Sequence, residues 1–284
     1  MYSEGPTINK NVQLIIALKK IKGVGPAKIS KFVKKCRYNY EECLSSAPSF
    51  FKINDSLLDL NLKEAESEII LNTSVGTEAI SLLDDEFPRK LCECEKPVVL
   101  LFYKGNISLI STRTVGVIGT RNPLPTFLEK GRILVKNLSE RGYTVVSGLA
   151  IGCDTLAHTA ALDYGAPTIA VLPSSCDDIY PSSNKKLANE IVEKNGLLIS
   201  EYGAGSIFSK YNLPERDRIQ SILSELLIVI QASDEGGSMI AVRRSLEDNK
   251  PVLALKGNDL KLIKQYIEPD DDVDASGGHQ NHWF

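Results

Sequence analysis

The chain has 284 residues, 43% of them hydrophobic and 24% charged, with 33 Lys and Arg against 36 Asp and Glu for a formal net charge of −3. That length suits one large or two modest domains with ample cores. The longest apolar runs, residues 97–103 and 226–230, fall far short of a bilayer span and the first residues carry no signal-peptide pattern, so a cytoplasmic protein with no membrane attachment is expected; overall acidity argues against indiscriminate binding along a duplex.

The charge is unevenly spread. Residues 1–45 hold nine Lys or Arg against three Glu, whereas residues 53–95 hold eleven acids against three bases. Attraction to an anionic partner must therefore be local. The basic stretch opens with an amphipathic helix through Val12, Leu14, Ile15, Ile16 and Leu18, followed by Gly23-Val24-Gly25-Pro26 and a second helix ending near Cys36. The two glycines permit a tight turn, and proline suits a first helical position. This resembles a helix-hairpin-helix motif, in which backbone N–H groups meet a DNA phosphate and Lys22, Lys28, Lys31, Lys34 and Lys35 add counterion release. The same pattern also serves as a plain helical packing module, and both readings stay open. Two or three further helices over 40–84, using Leu57, Leu58, Leu60, Leu62, Ile69, Ile70, Ile80, Leu82 and Leu83, complete an all-α domain at 1–84, of helix-hairpin-helix or SAM-like type.

A strand at 97–103 ends in a Gly105-Asn106 turn, and regular βα alternation follows. Strands are expected near 114–118, 143–147, 167–172, 197–201, 226–231 and 251–255, and helices near 124–141, 153–164, 184–195, 215–223 and 238–249. The strands are apolar without alternation, so both faces are covered: an α/β domain at 85–260 with a mostly parallel sheet and helices on both sides. Residues 261–284 read as one helix and an acidic, flexible tail. The six cysteines (36, 43, 92, 94, 153 and 176) include no Cys-x-x-Cys and read as reduced; neither Cys92/Cys94 nor His279/His282 completes a metal site, and no cofactor is expected.

Ligands of an open parallel sheet lie beyond the carboxyl ends of its strands. There the chain offers Gly119-Thr120-Arg121, Ser147-Gly148, Pro173-Ser174-Ser175, Ser200-Glu201, Gln231-Ala232-Ser233 and the loop Lys210 to Arg218. Arg121 supplies a bidentate fork for a phosphate and Thr120 a hydroxyl, with the following helix adding its dipole. Gly119 with a solvated Arg121 is equally a plain tight turn, since G-x-G-x-x-G is absent. Lys210, Arg216 and Arg218 make the groove basic, and Tyr211 is placed to stack on a base.

Taken in order, Phe87-Pro-x-x-Leu, Lys104-Gly-Asn, Gly119-Thr-Arg, Ser147-Gly-Leu-Ala-x-Gly-x-Asp-x-x-x-His158, Ile179-Tyr-Pro-x-x-Asn184, Ser200-Glu, Leu213-Pro-x-Arg-x-Arg218 and Gly237-Ser238 resemble the DprA (Smf) family of DNA-processing proteins across about 87–257. The resemblance implies an extended Rossmann-like domain that binds single-stranded DNA without consuming it, forms a homodimer, protects incoming strands in natural transformation and assists loading of the RecA recombinase. It implies phosphate contacts at Gly119, Thr120 and Arg121, with Ser147 and Gly148 nearby, Arg216 and Arg218 along the groove, and Lys185 beside Asn184. Departures are Leu213 for the usual Phe, Asp217 for Asn, Gln231, Lys256, and no C-terminal winged helix. Two other classes remain open: a nucleotide-binding or nucleotide-hydrolysing relative of the lysine-decarboxylase-like phosphoribohydrolases, with Glu201 as its carboxylate, and an adaptor using the acidic 53–95 face. Asp154 and His158, four apart on a helix, read better as a tie between turn and helix than as an acid–base pair.

Overall fold

The computed structural model describes residues 8–270, which fall into two compact units. The first takes the chain up to Lys104 together with Pro173–Asp178 and Ile199–Phe208; the second takes Gly105–Leu172, Ile179–Leu198 and the chain from Ser209 onward.

In the first unit α1 (Lys10–Lys19) is capped by Asn9, whose side chain accepts from the N–H groups of Asn11 and Val12. Its buried residues, Val12 and Leu14 through Leu18, surround most of its girth, so it is the unit's central helix rather than the amphipathic surface helix that its sequence suggests. Gly23, at φ +78, and Gly25 turn the chain into α2 (Pro26–Lys35), followed by α3 (Tyr40–Phe51) and the longer α4 (Asp55–Ser74), which Asn54 caps. The expected all-α domain does not continue to residue 84. Gly76, at φ +71, ends the helical run, and Glu78–Ser81 form strand β1. After the short α5 (Arg89–Cys92), β2 (Leu100–Gly105) pairs with β1 antiparallel, Glu78 opposite Tyr103 and Ser81 opposite Leu100. That pairing draws residues 85–104 into the helical unit, moving the boundary from the expected 84/85.

From residue 114 the chain keeps the βα alternation: β3 (Thr114–Ile118), α6 (Pro125–Glu140), β4 (Thr144–Ser147), α7 (Cys153–Asp163), β5 (Thr168–Val171), α8 (Lys185–Glu193), β6 (Leu197–Ser200), α9 (Asn212–Leu223), β7 (Leu226–Val229), α10 (Met239–Glu247), β8 (Val252–Leu255) and β9 (Gln265–Ile267), all in the second unit except Ile199 and Ser200 of β6. Six of these strands lie in the order β5-β4-β3-β7-β8-β9, every neighbouring pair parallel. One layer of core, with Val115, Val117, Leu134 and Ile228, packs on one face; another, with Ile118, Val229, Met239, Val242 and Ala254, packs on the other. This is the Rossmann-like α/β fold that uniformly apolar strands call for. Residues 260–267 differ from the expected helix and tail, since Leu260, Ile263 and Ile267 are buried and β9 joins the sheet beside β8. Residues 271–284, with His279 and His282, lie outside the described residues.

The order places a switch point at β3. From there the chain builds β4 and β5 to one side, then returns to build β7 and β8 on the other, leaving a crevice beyond the carboxyl ends of β3 and β7. Among the described residues no helix is long and apolar enough to cross a membrane, and no group of side chains is arranged to hold a metal ion.

His158 shows how tightly this core constrains a titratable group. Its Nδ1 lies 2.7 Å from Thr168 Oγ1, which donates its own hydrogen to the Val145 carbonyl (2.8 Å), so Nδ1 carries the imidazole proton. The buried Nε2 has no hydrogen-bond partner among the described residues. Burial, helped by the Arg216 charge, pushes the pKa down to about 3. A base whose folded pKa is depressed stays neutral in the native state while the unfolded chain takes up a proton near pH 6.5, so stability falls as pH drops from there toward 3. The imidazole's own contribution to the loss between pH 7.5 and 4.5 is roughly 3 kcal/mol, at about 1.4 kcal/mol per unit. His158→Asn, which keeps an N–H donor but cannot titrate, should flatten this fall in urea denaturation; parallel curves for wild type and variant would clear the imidazole of the effect.

Candidate functional site

A cleft of about 500 Å³ occupies the crevice at the switch point. One wall is the loop after β3. Gly119 is required there because a Cβ would sit 2.5 Å from Cys153 Sγ and 2.7 Å from the Gln231 carbonyl. Thr120 donates its N–H to the Gln231 carbonyl at 2.7 Å and accepts the Cys153 N–H at 3.1 Å, so the loop is pinned both to the end of β7 and to the start of α7. Arg121 follows, exposed and aimed by a rigid backbone.

The opposite wall is Gly236-Gly237-Ser238, leading into the first turn of α10, where Ile240 and Ala241 also face the cleft. Ser238 caps this helix without a side-chain hydrogen bond. In its first turn Met239 donates its N–H to the Gly236 carbonyl at 3.0 Å and Ile240 to the Gly237 carbonyl at 3.1 Å, so the helix offers an anion chiefly the positive end of its dipole. The sequence led to the helix after β3, where the Leu124 N–H is likewise taken, by Gln231 Oε1 at 2.7 Å. Gly237-Ser238 belongs to the family-like pattern, and the usable signal was a second strand–glycine turn–helix repeat after β7.

The floor is charged. Arg216 is 5% exposed; its Nη1 donates to the carbonyls of Gly148 and Val171 (2.9 Å to the latter), and its Nε donates to Asp217 Oδ1 at 2.9 Å. It thus ties the ends of β4 and β5 to α9. Gly148 must be glycine, since a Cβ there would overlap the guanidinium at 1.8 Å. Asp154 lies in the first turn of α7 and accepts the Ala150 N–H at 3.3 Å. Its carboxyl is pushed up to about 6 by burial, with Arg216 pulling down and Asp217 pushing further up. Asp217 is raised too, again by burial, against the opposing pull of Arg216 and Arg121.

Of the expected contacts, Gly119, Thr120, Arg121, Lys210 and Arg216 line the cleft. Ser147 lies beneath it, buried, its hydroxyl donating to the Val117 carbonyl at 2.7 Å, and Gly148 contributes its carbonyl to Arg216. Lys185, Tyr211 and Arg218 are not among the lining residues: Lys185 is exposed on α8, Tyr211 is 88% exposed, and Arg218 Nε donates to Glu215 Oε2 at 3.1 Å. Asp154 and His158 bond to different partners and form no acid–base pair. Glu201 falls in the first unit, where it acts electrostatically on Lys19, while the cleft belongs to the second. Gln220, buried at 2%, joins the lining and was not legible as a site residue.

For a carboxyl whose folded pKa is raised from 3.8 to about 6, the native state favours the protonated form. Its contribution is fully present below 3.8 and is lost as pH rises through 6. Asp154→Asn, which can still accept from Ala150, should therefore stabilise the protein by about 3 kcal/mol at pH 8 and by almost nothing at pH 4, at about 1.4 kcal/mol per unit. Thermal melting of both proteins at pH 4, 6 and 8 checks this; a difference independent of pH would contradict it.

With this geometry established, comparison with known proteins is informative. Residues 78–265 match the family model described as DNA recombination-mediator protein A. The chain is 36% identical over 209 residues to the DNA processing protein DprA of Streptococcus pneumoniae, covering 74% of this chain and 69% of that one. The X-ray structure of the Streptococcus pneumoniae protein superposes with a TM-score of 0.73 at 29% identity, covering 91% of this chain and 90% of that one. A structure of DNA processing protein A from Helicobacter pylori, described for its single-stranded DNA binding mode, gives a TM-score of 0.57 at 33% identity over 62% of this chain and 80% of that one.

Proposed function

Because this chain belongs to the DNA recombination-mediator protein A (DprA, Smf) family, we propose that it binds single-stranded DNA through the cleft at the β3/β7 switch point, protecting incoming strands and assisting RecA loading during DNA uptake and recombination. The observation that carries this reading is the opposition of Arg121 and Thr120 to the Gly236-Gly237 turn and the N-terminal end of α10 across one cleft. A phosphate there meets an exposed guanidinium, a hydroxyl and the positive end of a helix dipole. The Helicobacter pylori relative, whose structure addresses a single-stranded DNA binding mode, supports the choice of ligand.

The roles divide by burial. Arg121 and Lys210, exposed at the rim, contact the backbone of the strand; Gly119 and Thr120 shape the phosphate seat; Arg216 positions the floor and contributes field. Ser147 and Gly148 act from beneath, through Val117 and Arg216. Lys185, Tyr211 and Arg218 extend the contact beyond the cleft to flanking nucleotides, Tyr211 by stacking. The protein works in the cytoplasm as a homodimer and uses binding, with no catalytic step. Asp217 sets the strength of the interaction: two carboxylates beside three cations temper the local potential, so a phosphate is held loosely enough to be handed on.

Arg121→Ala should weaken binding of a labelled 30-base single strand about ten- to a hundredfold, the worth of one charge-assisted hydrogen-bonded contact. Fluorescence anisotropy over a salt series, with the matching duplex as competitor, measures this. Unchanged affinity in the variant, or a preference for the duplex, would sink the reading. Release of free base from a nucleoside monophosphate would move the protein into the nucleotide-hydrolase class.

A further inference from the structure

The second strongly basic feature of the molecule lies in the first unit and is not part of the cleft. On α2 the buried residues Ile29, Phe32 and Val33, continued by Cys36, take one side of the helix. Lys28, Lys31, Lys34 and Lys35 all project from the other, within an arc of about 120° at 100° per residue. Lys22, in the turn before α2, is exposed as well.

What sets these lysines apart is their lack of neutralisation. Among the described residues no carboxylate lies within 4.0 Å of the ammonium groups of Lys22, Lys28, Lys31, Lys34 or Lys35, whereas Lys20, just upstream, reaches Glu64 at 3.7 Å and Glu68 at 3.1 Å. The acid-rich α4 thus neutralises the end of α1 and leaves α2 bare. Clustering like charges on one helix costs free energy unless an external polyanion answers them.

Aromatic rings lie beside the lysines. Phe50, half-buried, packs against Phe32 at 4.7 Å and Phe51 at 4.9 Å between centroids, with Lys35 Nζ 5.7 Å from its ring centre; Lys28 Nζ is 5.4 Å from that of Phe51. A row of cations beside a partly open ring is what an unpaired strand meets best, with phosphates on the lysines and a base on the ring. An anionic membrane surface fits less well, because among the described residues before Leu57 no large apolar side chain stands exposed to insert.

We propose that the lysine face of α2, with Phe50, is a second contact for single-stranded nucleic acid, carried by the first unit and independent of the cleft in the second. The inference rests on the reading that this protein handles single-stranded DNA, and it adds that long strands engage both units. Three lysines each neutralising a phosphate contribute about 0.7 each to the log–log salt slope, roughly 2 in all.

The test compares the full-length wild type, Arg121→Ala, the triple variant Lys28→Ala/Lys31→Ala/Lys35→Ala and the corresponding triple arginine variant, using fluorescence anisotropy with labelled 45-base and 12-base single strands and a 45-base-pair duplex. The alanines suit an exposed helix face, and circular dichroism checks the fold of each variant. For the 45-base strand the triple alanine variant should have a salt slope smaller by about 2, so that its deficit relative to wild type shrinks about twentyfold between 50 and 200 mM salt. The arginine variant should retain the wild-type slope, and Arg121→Ala should retain binding that the lysine substitutions remove. An unchanged slope in the triple alanine variant, with wild type binding the strand, overturns this inference and leaves the cleft standing. A loss confined to the duplex overturns the assignment to single strands. Failure of wild type to bind any strand defeats the parent reading.

Discussion

One buried guanidinium holds the candidate site together. Arg216 donates to the carbonyls that close β4 and β5 and to the carboxylate beside it on α9, so three elements of the second unit meet on a single side chain. A cation this deeply buried is tolerable because its Nε and Nη1 donors are occupied and the Asp217 carboxylate lies beside it. In turn, the arginine pulls both carboxyls down against the upward push of burial. The arrangement fixes the floor, and Gly148 has no side chain because the guanidinium fills that space.

The cleft therefore has two classes of charge with separate tasks. Arg216 is built into the fold and cannot follow a ligand, while Arg121 and Lys210 at the rim are free to do so. Between them lies the positive end of the α10 dipole, which does not titrate.

Most of the second unit was legible in the sequence because uniformly apolar four- and five-residue runs separated by helical spacing admit few folds. Each expected strand from 114 to 255 appears within a residue or two of its place. Two stretches misled for identifiable reasons. Ile80, Leu82 and Leu83 continued an apolar rhythm that suited helix, but Gly76 breaks the run and pairing with β2 decides for strand. Residues 260–267 read as helix and tail because the apolar run Leu260, Leu262, Ile263, Tyr266 and Ile267 is too short to show a period, and pairing with the open edge of β8 decides for strand. In the site, Gly119, Thr120 and Arg121 were readable because strand-end position alone places them. The inward turn of Arg216 was not, since an Arg in a basic loop looks the same whether it faces a phosphate or two carbonyls. Burial, a tertiary quantity, separates the two.

The order of the strands has a temporal consequence. Thr114, at the start of β3, is hydrogen-bonded to a carbonyl 109 residues further along the chain, and the two walls of the cleft are separated by a comparable length. During synthesis the loop after β3 emerges long before its partner wall, so its glycine-shaped seat spends that interval without the neighbours that define it. Closing so long a loop is entropically costly, and contacts of such high sequence separation form late. The cleft therefore exists only where β7 lies beside β3, and its two walls come from parts of the chain more than a hundred residues apart.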